Sequence, residues 1–446
     1  MTADEYANYF DEALPVSDRT LLYGRIGGAL AFLIPALQFV QFNVIGTLYA
    51  SDILSLAVVL FAGIPNAQLL NRRLPRRFLG FGLLWLLAQV TTDLLRATPF
   101  DDYARGWAMI AFTLINFAAL SVLLFESRHR LVLCAFGFVV GDILVYLFNP
   151  DVFAAAAPWK FGYGYAVTLL VVLVAVFLGA RRKKMLVGAL LMAAAALNLY
   201  EGFRSLAGEC FLTAIYSVLT GSTRHSDGTL RSLTIPALIS WALLVLSVVG
   251  LFRVYAYCAS SGLLGSAALQ KYEIESAGRY GVVAGGRMDF LTGLDAALDS
   301  PLVGHGSWAK DWRYTSLQEA LLPELGYRSA SPSDSWIIPA HSYLIGAWVD
   351  AGVLGAVFWL WTLSMPVRTL SRLYGSVTTA SPLIAFLATG LIWDVLFSPF
   401  GAAQRFSAAF SVVTLMWFLE SSETAGESGP LTEFTRYESF DRYDFI

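Results

Sequence analysis

Charged residues are scarce in this 446-residue chain: Asp, Glu, Lys and Arg together make up 14% of it, against roughly 25% in soluble domains. Hydrophobic residues make up 57%, and apolar runs follow one another over nearly the whole length. The shortage of charge argues against a soluble domain and predicts a membrane protein that crosses the bilayer many times. The net charge of −3 is too small to indicate a nucleic-acid partner.

Cysteine and histidine are also rare, with 3 and 4 residues. Cys134, Cys210 and Cys258 lie far apart, so their spacing predicts neither a disulfide framework nor a metal site, and we expect no cofactor. The first residues lack the basic stretch of a cleaved signal peptide. The first apolar run is therefore expected to be a retained helix.

About twelve apolar runs approach the ~20 residues that a helix needs to cross ~30 Å of hydrocarbon. Lipid offers no partner to backbone polar groups, so runs of this length should be helical. The sequence thus predicts an all-α polytopic membrane protein. Its predicted spans are about 26–42, 45–64, 78–96, 105–125, 130–148, 162–180, 185–203, 206–220, 233–256, 342–364, 382–398 and 404–419.

Basic residues follow every second span, whereas the intervening short loops carry few of them. The positive-inside rule therefore places both termini in the cytoplasm. The large polar segment between the ninth and tenth spans then faces outward. The basic residues that carry this orientation are Arg72, Arg73, Arg76, Arg77, Arg128, Arg130, Arg181, Arg182, Lys183, Lys184, Arg224, Arg231, Arg368 and Arg372.

The chain accordingly divides into nine spans in 1–256, an outer segment in 257–340, three spans in 341–420 and a polar cytoplasmic tail in 421–446. The outer segment contains helix-like stretches at 287–298 and 316–325, separated by Gly, Ser and Pro clusters. Its aromatic residues argue against disorder. These aromatic residues are Trp308, Trp312, Tyr314 and Trp336.

The stretch Pro339-Ala-His341-Ser342 stands where the outer segment meets an apolar run that is marked by Gly352 and Gly355. An imidazole there can titrate near neutral pH at a membrane surface, which suits a general base for a hydroxyl nucleophile. The alternative is an interfacial histidine whose ring is satisfied by a backbone carbonyl.

Arg204 and Arg287 are candidate anion ligands on the outer side. Arg204 breaks the positive-inside bias, and its planar fork suits phosphate; the alternatives are snorkelling towards headgroups or pairing with Glu201 or Glu209. Arg287 precedes a helix-like stretch, where free N–H groups attract anions, but it could equally be a solvated loop arginine.

His305 stands between Gly304 and Gly306, where it could reach a ligand or lie in a flexible loop. Carboxylates within apolar spans are costly and usually face a cavity or a partner. The sequence places Asp52, Asp93, Asp142, Asp350 and Asp394 in such spans without revealing which of them pair.

Three segments resemble, in order, the bacterial O-antigen ligase and O-antigen polymerase superfamily. They are NLYEGFRS, GGRMDFLTGLDAALDSPLVGHGSW and AHSYLIGAWVDAGVLG, within about 185–360. The last resembles the family's His motif, in which nine residues separate the residue after the histidine from a Gly-x-x-Gly. Ser342 stands where the family often has Asn.

The resemblance implies a GT-C-like, metal-independent, inverting glycosyltransferase in the bacterial inner membrane, with its active site facing the periplasm. The donor would be a glycan on undecaprenyl pyrophosphate, held by Arg204 and Arg287, and His341 would be the base. Ser342 and His305 are further candidate substrate contacts. The acceptor would be a saccharide or a lipid A core.

Two activities within the superfamily remain open, and so does a different class of protein. The aromatic outer residues could stack sugar rings along a growing chain, which favours a polymerase over a ligase. A polysaccharide transporter or flippase is the more distant alternative. Many transporters are built from repeated halves, and no internal repeat is visible in this sequence.

Overall fold

The computed structural model describes residues 18–124, 127–181, 183–219, 249–250, 252–277, 288–324, 336–373 and 378–427. These residues are mostly helical, which confirms the predicted all-α class. The helices are α1 Asp18–Ala36, α2 Ala50–Val58, α3 Ala67–Leu70, α4 Arg73–Arg96, α5 Phe100–Leu124, α6 Arg128–Phe148, α7 Val152–Ala156, α8 Gly164–Ala180, α9 Lys184–Tyr200, α10 Arg204–Leu219, α11 Ser266–Ala277, α12 Met288–Asp299, α13 Trp312–Glu324, α14 Tyr343–Ala351, α15 Val353–Leu373, α16 Ser381–Phe397 and α17 Gln404–Glu427.

Five helical stretches of the described chain are long and apolar enough to cross a membrane: Arg73–Arg96, Phe100–Leu124, Arg128–Phe148, Pro158–Gly179 and Val353–Leu373. Four shorter apolar helices accompany them, at Arg25–Phe39, Ala50–Gly63, Lys184–Tyr200 and Ser381–Phe397. The chain is therefore a membrane protein, while the count of twelve spans stays a prediction. The predicted ninth span, 233–256, lies largely outside the described residues.

A short β-hairpin joins the first two apolar helices, where the sequence predicted helix almost throughout. Strands Gln41–Asn43 and Thr47–Tyr49 pair antiparallel. Asp52 in the first turn of α2 accepts a bond from the Tyr49 N–H at 2.9 Å. Its carboxylate also pairs with the buried Arg405, through Nε at 3.0 Å. This buried ion pair fixes the hairpin against the start of α17.

Helices α14 and α15 form an antiparallel hairpin, so the predicted continuous span at 342–364 is wrong. Gly352 has φ 68° and ψ −163°, which ends α14 and reverses the chain. A side chain at Gly352 would lie 2.1 Å from the Leu302 carbonyl oxygen, and one at Gly355 would lie 2.2 Å from the Ala347 oxygen. The two glycines thus make the reversal and the close helix contact.

The outer turn at 300–308 is fastened to the ends of α4 and α5 by a buried carboxylate. Asp93 accepts bonds from the Ser307 N–H at 2.7 Å, the Ser307 hydroxyl at 2.8 Å and the Trp107 indole N–H at 2.8 Å. Gln89 donates to it at 3.3 Å. Arg96 donates to the Gly304 carbonyl at 2.7 Å. The turn is therefore a fixed part of the fold.

We predict that Asp93→Asn destabilises the protein by about 1–3 kcal/mol, because an amide turns one acceptor oxygen into a donor facing other donors. Unfolding by denaturant in detergent would measure the loss, and limited proteolysis should cut the turn at 300–308 sooner. Asp101→Asn, at an exposed residue of the neighbouring helix, is the control and should change stability by less than about 1 kcal/mol. Equal stability of the two variants would contradict the anchoring role.

Candidate functional site

His341 is paired with a carboxylate that the sequence did not single out. Its Nδ1 lies 2.6 Å from the Asp289 Oδ2, and the amide of Gln318 donates to the other carboxylate oxygen. The His341 side chain is 58% exposed, while that of Asp289 is 28% exposed. The ring is therefore held in one orientation on its Nδ1 side and remains accessible from solvent.

Asp289 reaches His341 because α12 packs closely on the chain around Pro339 and Ala340. A Cβ at Gly293, one helical turn after Asp289, would meet the Pro339 oxygen at 2.8 Å and the Ile345 side chain at 3.0 Å. A small apolar core joins these elements: Ala296, Ala297, Tyr314, Ile338, Ile345 and Val349. Glycine at position 293 thus permits the approach that brings the carboxylate to the imidazole.

A cavity of about 290 Å³ opens beside His341 and runs along α14 to Asp350. Its walls include the aromatic rings of Trp85, Trp308 and Phe400. His341 stands two residues before α14, and Asp350 lies in the last turn of that helix. A cavity with aromatic walls that also includes a histidine and a carboxylate in its lining suits a ligand with ring-shaped apolar faces and hydroxyl groups.

Ser342 is a helix cap, and its hydroxyl is fully engaged within the protein. It accepts from the Ile345 N–H at 3.1 Å and donates to the Val395 carbonyl at 2.8 Å, and its side chain is buried. Serine is a preferred N-cap because its oxygen satisfies a free N–H of the first turn. The predicted substrate contact of Ser342 therefore has no support, and the residue instead fixes the start of α14 next to His341.

His305 is fixed in place, contrary to the expectation of a flexible loop residue. Its Nε2 lies 2.8 Å from the Ala296 carbonyl oxygen, and its backbone N–H donates to the Val349 oxygen at 2.6 Å. The ring packs edge-on against Tyr314 at 5.6 Å. The flanking glycines have φ of 82° and 94° and form the turn without making it loose. His305 thus ties α12 to α14, and its predicted substrate contact has no support.

The guanidinium of Arg204 binds the carboxylate of Glu275, not that of Glu201 or Glu209 as considered from the sequence. Its Nη1 and Nη2 lie 2.9 and 3.0 Å from the two oxygens of Glu275 in α11, and Nη1 also donates to the Tyr255 hydroxyl at 3.0 Å. The fork is therefore positioned to bind a planar or tetrahedral anion at two points. Arg287, the second predicted anion ligand, lies outside the described residues.

The aromatic residues of the outer segment divide into two groups. Tyr314 is buried in the small core and donates to Asp299 at 2.7 Å; burial, followed by this hydrogen bond, raises the pKa of its phenol. Trp312 and Trp336 are 66% and 61% exposed. Their backbones are neighbours, because the Asp311 N–H donates to the Trp336 carbonyl at 2.8 Å. Two exposed tryptophans thus belong to this segment, and Trp336 directly precedes Ile337, which lines the cavity together with Trp308.

The aspartates of the apolar runs have different surroundings. Asp52 and Asp93 satisfy the anchoring networks described above. Asp394 accepts from the Ser398 hydroxyl at 2.7 Å near the outer end of α16. Asp350 lines the cavity. Of the five aspartates, Asp52 and Asp93 therefore hold neighbouring elements together and Asp350 lines the cavity, while Asp142 lies within α6.

No family model matches the chain, and no curated protein is similar enough to count as a match. The family resemblance therefore rests on the motifs alone and is carried forward as a proposal. Sequence reasoning missed Asp289 and Glu275, whose partners lie 52 and 71 residues away. The only local signal for Asp289 was its place in the first turn of a predicted helix, two residues after Arg287.

We predict that Gly293→Ala and Gly346→Ala differ, although both replace a helical glycine beside Ala340. The new methyl at position 293 would overlap the Pro339 oxygen and cost about 1–3 kcal/mol. At position 346 the nearest atoms are 3.9 Å away, so alanine should leave stability unchanged or raise it by about 0.5–1 kcal/mol. Thermal unfolding of both variants tests the close packing of α12, and equal melting temperatures would contradict it.

Proposed function

We propose that this protein is a glycosyltransferase of the bacterial inner membrane. It would move a glycan from undecaprenyl pyrophosphate to a saccharide hydroxyl on the periplasmic face. The observation that carries the proposal is the Asp289–His341 pair at the mouth of an aromatic cavity. The motif resemblance and the bidentate fork of Arg204 support it.

In the proposed reaction His341 accepts the proton of the acceptor hydroxyl. The Asp289 carboxylate holds Nδ1, so Nε2 takes the proton, and the carboxylate stabilises the imidazolium that forms. The acceptor oxygen bonds to the anomeric carbon as the bond from that carbon to the pyrophosphate oxygen breaks. Attack from the face opposite the leaving group inverts the anomeric centre.

The leaving pyrophosphate needs positive charge as the bond breaks. Arg204 supplies it from the start of α10, and Arg287 is the second cation of the proposal. α10 packs along α16, whose outer end also bonds Ser342 through the Val395 carbonyl. The packing of α10 on α16 thus links the helix that begins at Arg204 to the chain beside His341.

We favour a polymerase over a ligase because of the exposed tryptophan pair. Trp312 and Trp336 could stack on successive sugar rings of a growing chain while Trp308 contacts the ring inside the cavity. The alternative is an O-antigen ligase that transfers the glycan to a lipid A core. A polysaccharide transporter or flippase is the more distant alternative, and it leaves the Asp289–His341 pair without a role.

We predict that His341→Ala lowers the transfer rate by on the order of 10²–10⁴, the usual contribution of a general base. Asp289→Asn should lower kcat by on the order of tenfold or more, with little change in KM for the donor, because it disturbs only the orientation and charge of the ring. Asp289→Glu should recover part of the loss. Purified protein in detergent with a lipid-linked donor provides the assay.

Asp295→Asn is the matched control for Asp289, since Asp295 is an exposed carboxylate on the same helix. It should transfer at the wild-type rate. Full activity of His341→Ala in a properly folded sample would remove this histidine from the reaction and with it the main support for the proposed function.

The polymerase and ligase activities predict different products in a strain from which the gene is deleted. Loss of a polymerase should leave single repeat units or short chains. Loss of a ligase should leave long chains on undecaprenyl pyrophosphate and a bare lipid A core. Electrophoresis of the lipid-linked and lipopolysaccharide fractions separates the two, and stranded long chains would establish the ligase.

A further inference from the structure

Three cationic side chains converge at the outer end of α10. Arg204 begins that helix, Lys160 lies in the π-helical turn Pro158–Tyr163 before α8, and Lys271 lies in α11. Lys271 lies one helical turn before Glu275, which contacts Arg204 at 2.9 Å. Trp159, the neighbour of Lys160, donates to the Asn198 side chain at 2.9 Å, near the end of the helix that precedes Arg204. The charges of both lysines and Arg204 therefore interact. Burial, followed by the nearby Arg204, lowers the pKa of Lys271. The cluster therefore concentrates positive charge at a place that solvent can reach.

Glu275 is the carboxylate that pairs with Arg204 in this cluster. Its side chain is fully buried, and its two oxygens meet the two terminal nitrogens of Arg204. Among the described residues, no ion pair joins Lys160 or Lys271 to another carboxylate. Within the described part of the chain, one carboxylate thus faces three cations, and a phosphate dianion would neutralise this positive charge better than Glu275 does.

The arginine fork is also reachable. The Arg204 side chain is 34% exposed, so an anion can approach it from outside while Glu275 holds it from within. The two oxygens of Glu275 occupy the positions that two oxygens of a phosphate group would take in a bidentate pair.

Glu275 also attaches α11 to the start of α10 through Arg204. Of the described side chains in this helix, only that of Glu275 is buried. A ligand that takes the place of this carboxylate at Arg204 would therefore loosen the hold on α11.

We propose that Lys160, Arg204 and Lys271 form a binding site for a phosphate ester at the outer face, and that Glu275 occupies this site until the phosphate displaces it. The identity of the ligand rests on the proposed function, in which it is the pyrophosphate of the lipid-linked donor. The exchange of carboxylate for phosphate then couples donor binding to the release of α11.

Binding of inorganic pyrophosphate to the full-length protein tests the site. In phosphatidylcholine nanodiscs, isothermal titration calorimetry of Glu275→Gln should give affinity on the order of tenfold tighter than wild type, because the competing charge is gone. Lys271→Gln should bind more weakly than wild type. Glu273→Gln, exposed on the same helix, and Arg313→Gln, outside the cluster, are the matched controls and should bind as wild type does.

Hydrogen exchange of the wild-type protein gives a second measurement that does not depend on the folding of Glu275→Gln. Pyrophosphate should speed exchange of the α11 amides, since it removes the contact between Glu275 and Arg204 that attaches the helix. Unchanged or slower exchange there would overturn the displacement. Weaker or unchanged pyrophosphate binding by a folded Glu275→Gln variant would overturn it as well.

Two further experiments distinguish a lipid headgroup from pyrophosphate as the ligand, and distinguish failure of the site from failure of the proposed function. Faster α11 exchange in phosphatidylglycerol nanodiscs without pyrophosphate would support the site and make a lipid headgroup its ligand. If pyrophosphate displaces Glu275 in a protein that has no transfer activity, the site is supported and the proposed function is overturned. If glycan transfer depends on His341 but pyrophosphate does not displace Glu275, the proposed function is supported and the phosphate site is overturned.

Discussion

The buried carboxylate of Asp93 is the contact on which the arrangement of the turn at 300–308 and of the helices around it depends. A carboxylate within an apolar helix is costly unless donors surround it, and here four donors from Ser307, Trp107 and Gln89 do so. Two of those donors belong to Ser307 in the turn at 300–308, so the hydrogen bonds that stabilise the buried charge also fix the turn. The turn in turn carries His305, which holds α12 and α14 together through Ala296 and Val349.

The candidate site follows from this anchoring by a chain of close contacts. The turn meets the chain reversal at Gly352, where only a residue without a side chain fits against Leu302. The reversal sets α14 antiparallel to α15, and the cap of Ser342 fixes its first turn against α16. His341 stands immediately before that cap, so its backbone is fixed by elements from three parts of the chain. Asp289 then fixes the ring.

The features that the sequence could predict are those that depend on local composition. Apolar runs predicted helices because lipid demands internal hydrogen bonds, and glycine, proline and serine clusters bounded the outer helices α12 and α13 to within a few residues. Their places at the ends of apolar runs identified His341 and Arg204 as candidate site residues. The pairings were not predictable because Asp289 and Glu275 lie 52 and 71 residues from their partners. His305 was misjudged for the same reason, since its glycine neighbours are visible in the sequence and its partner carbonyl is not.

The two carboxylate pairs of the outer side differ in a way that matches their proposed roles. Asp289 contacts a histidine that needs a negative partner while it carries a proton, so this pair strengthens during the proposed reaction. Glu275 contacts an arginine that is charged throughout and that phosphate can bind in the same geometry. A carboxylate in that place competes with an anionic ligand and can be exchanged for it. The proposed base needs the Asp289–His341 pair to persist during the reaction. Binding of the donor, in contrast, needs a Glu275–Arg204 pair that a stronger anion can replace.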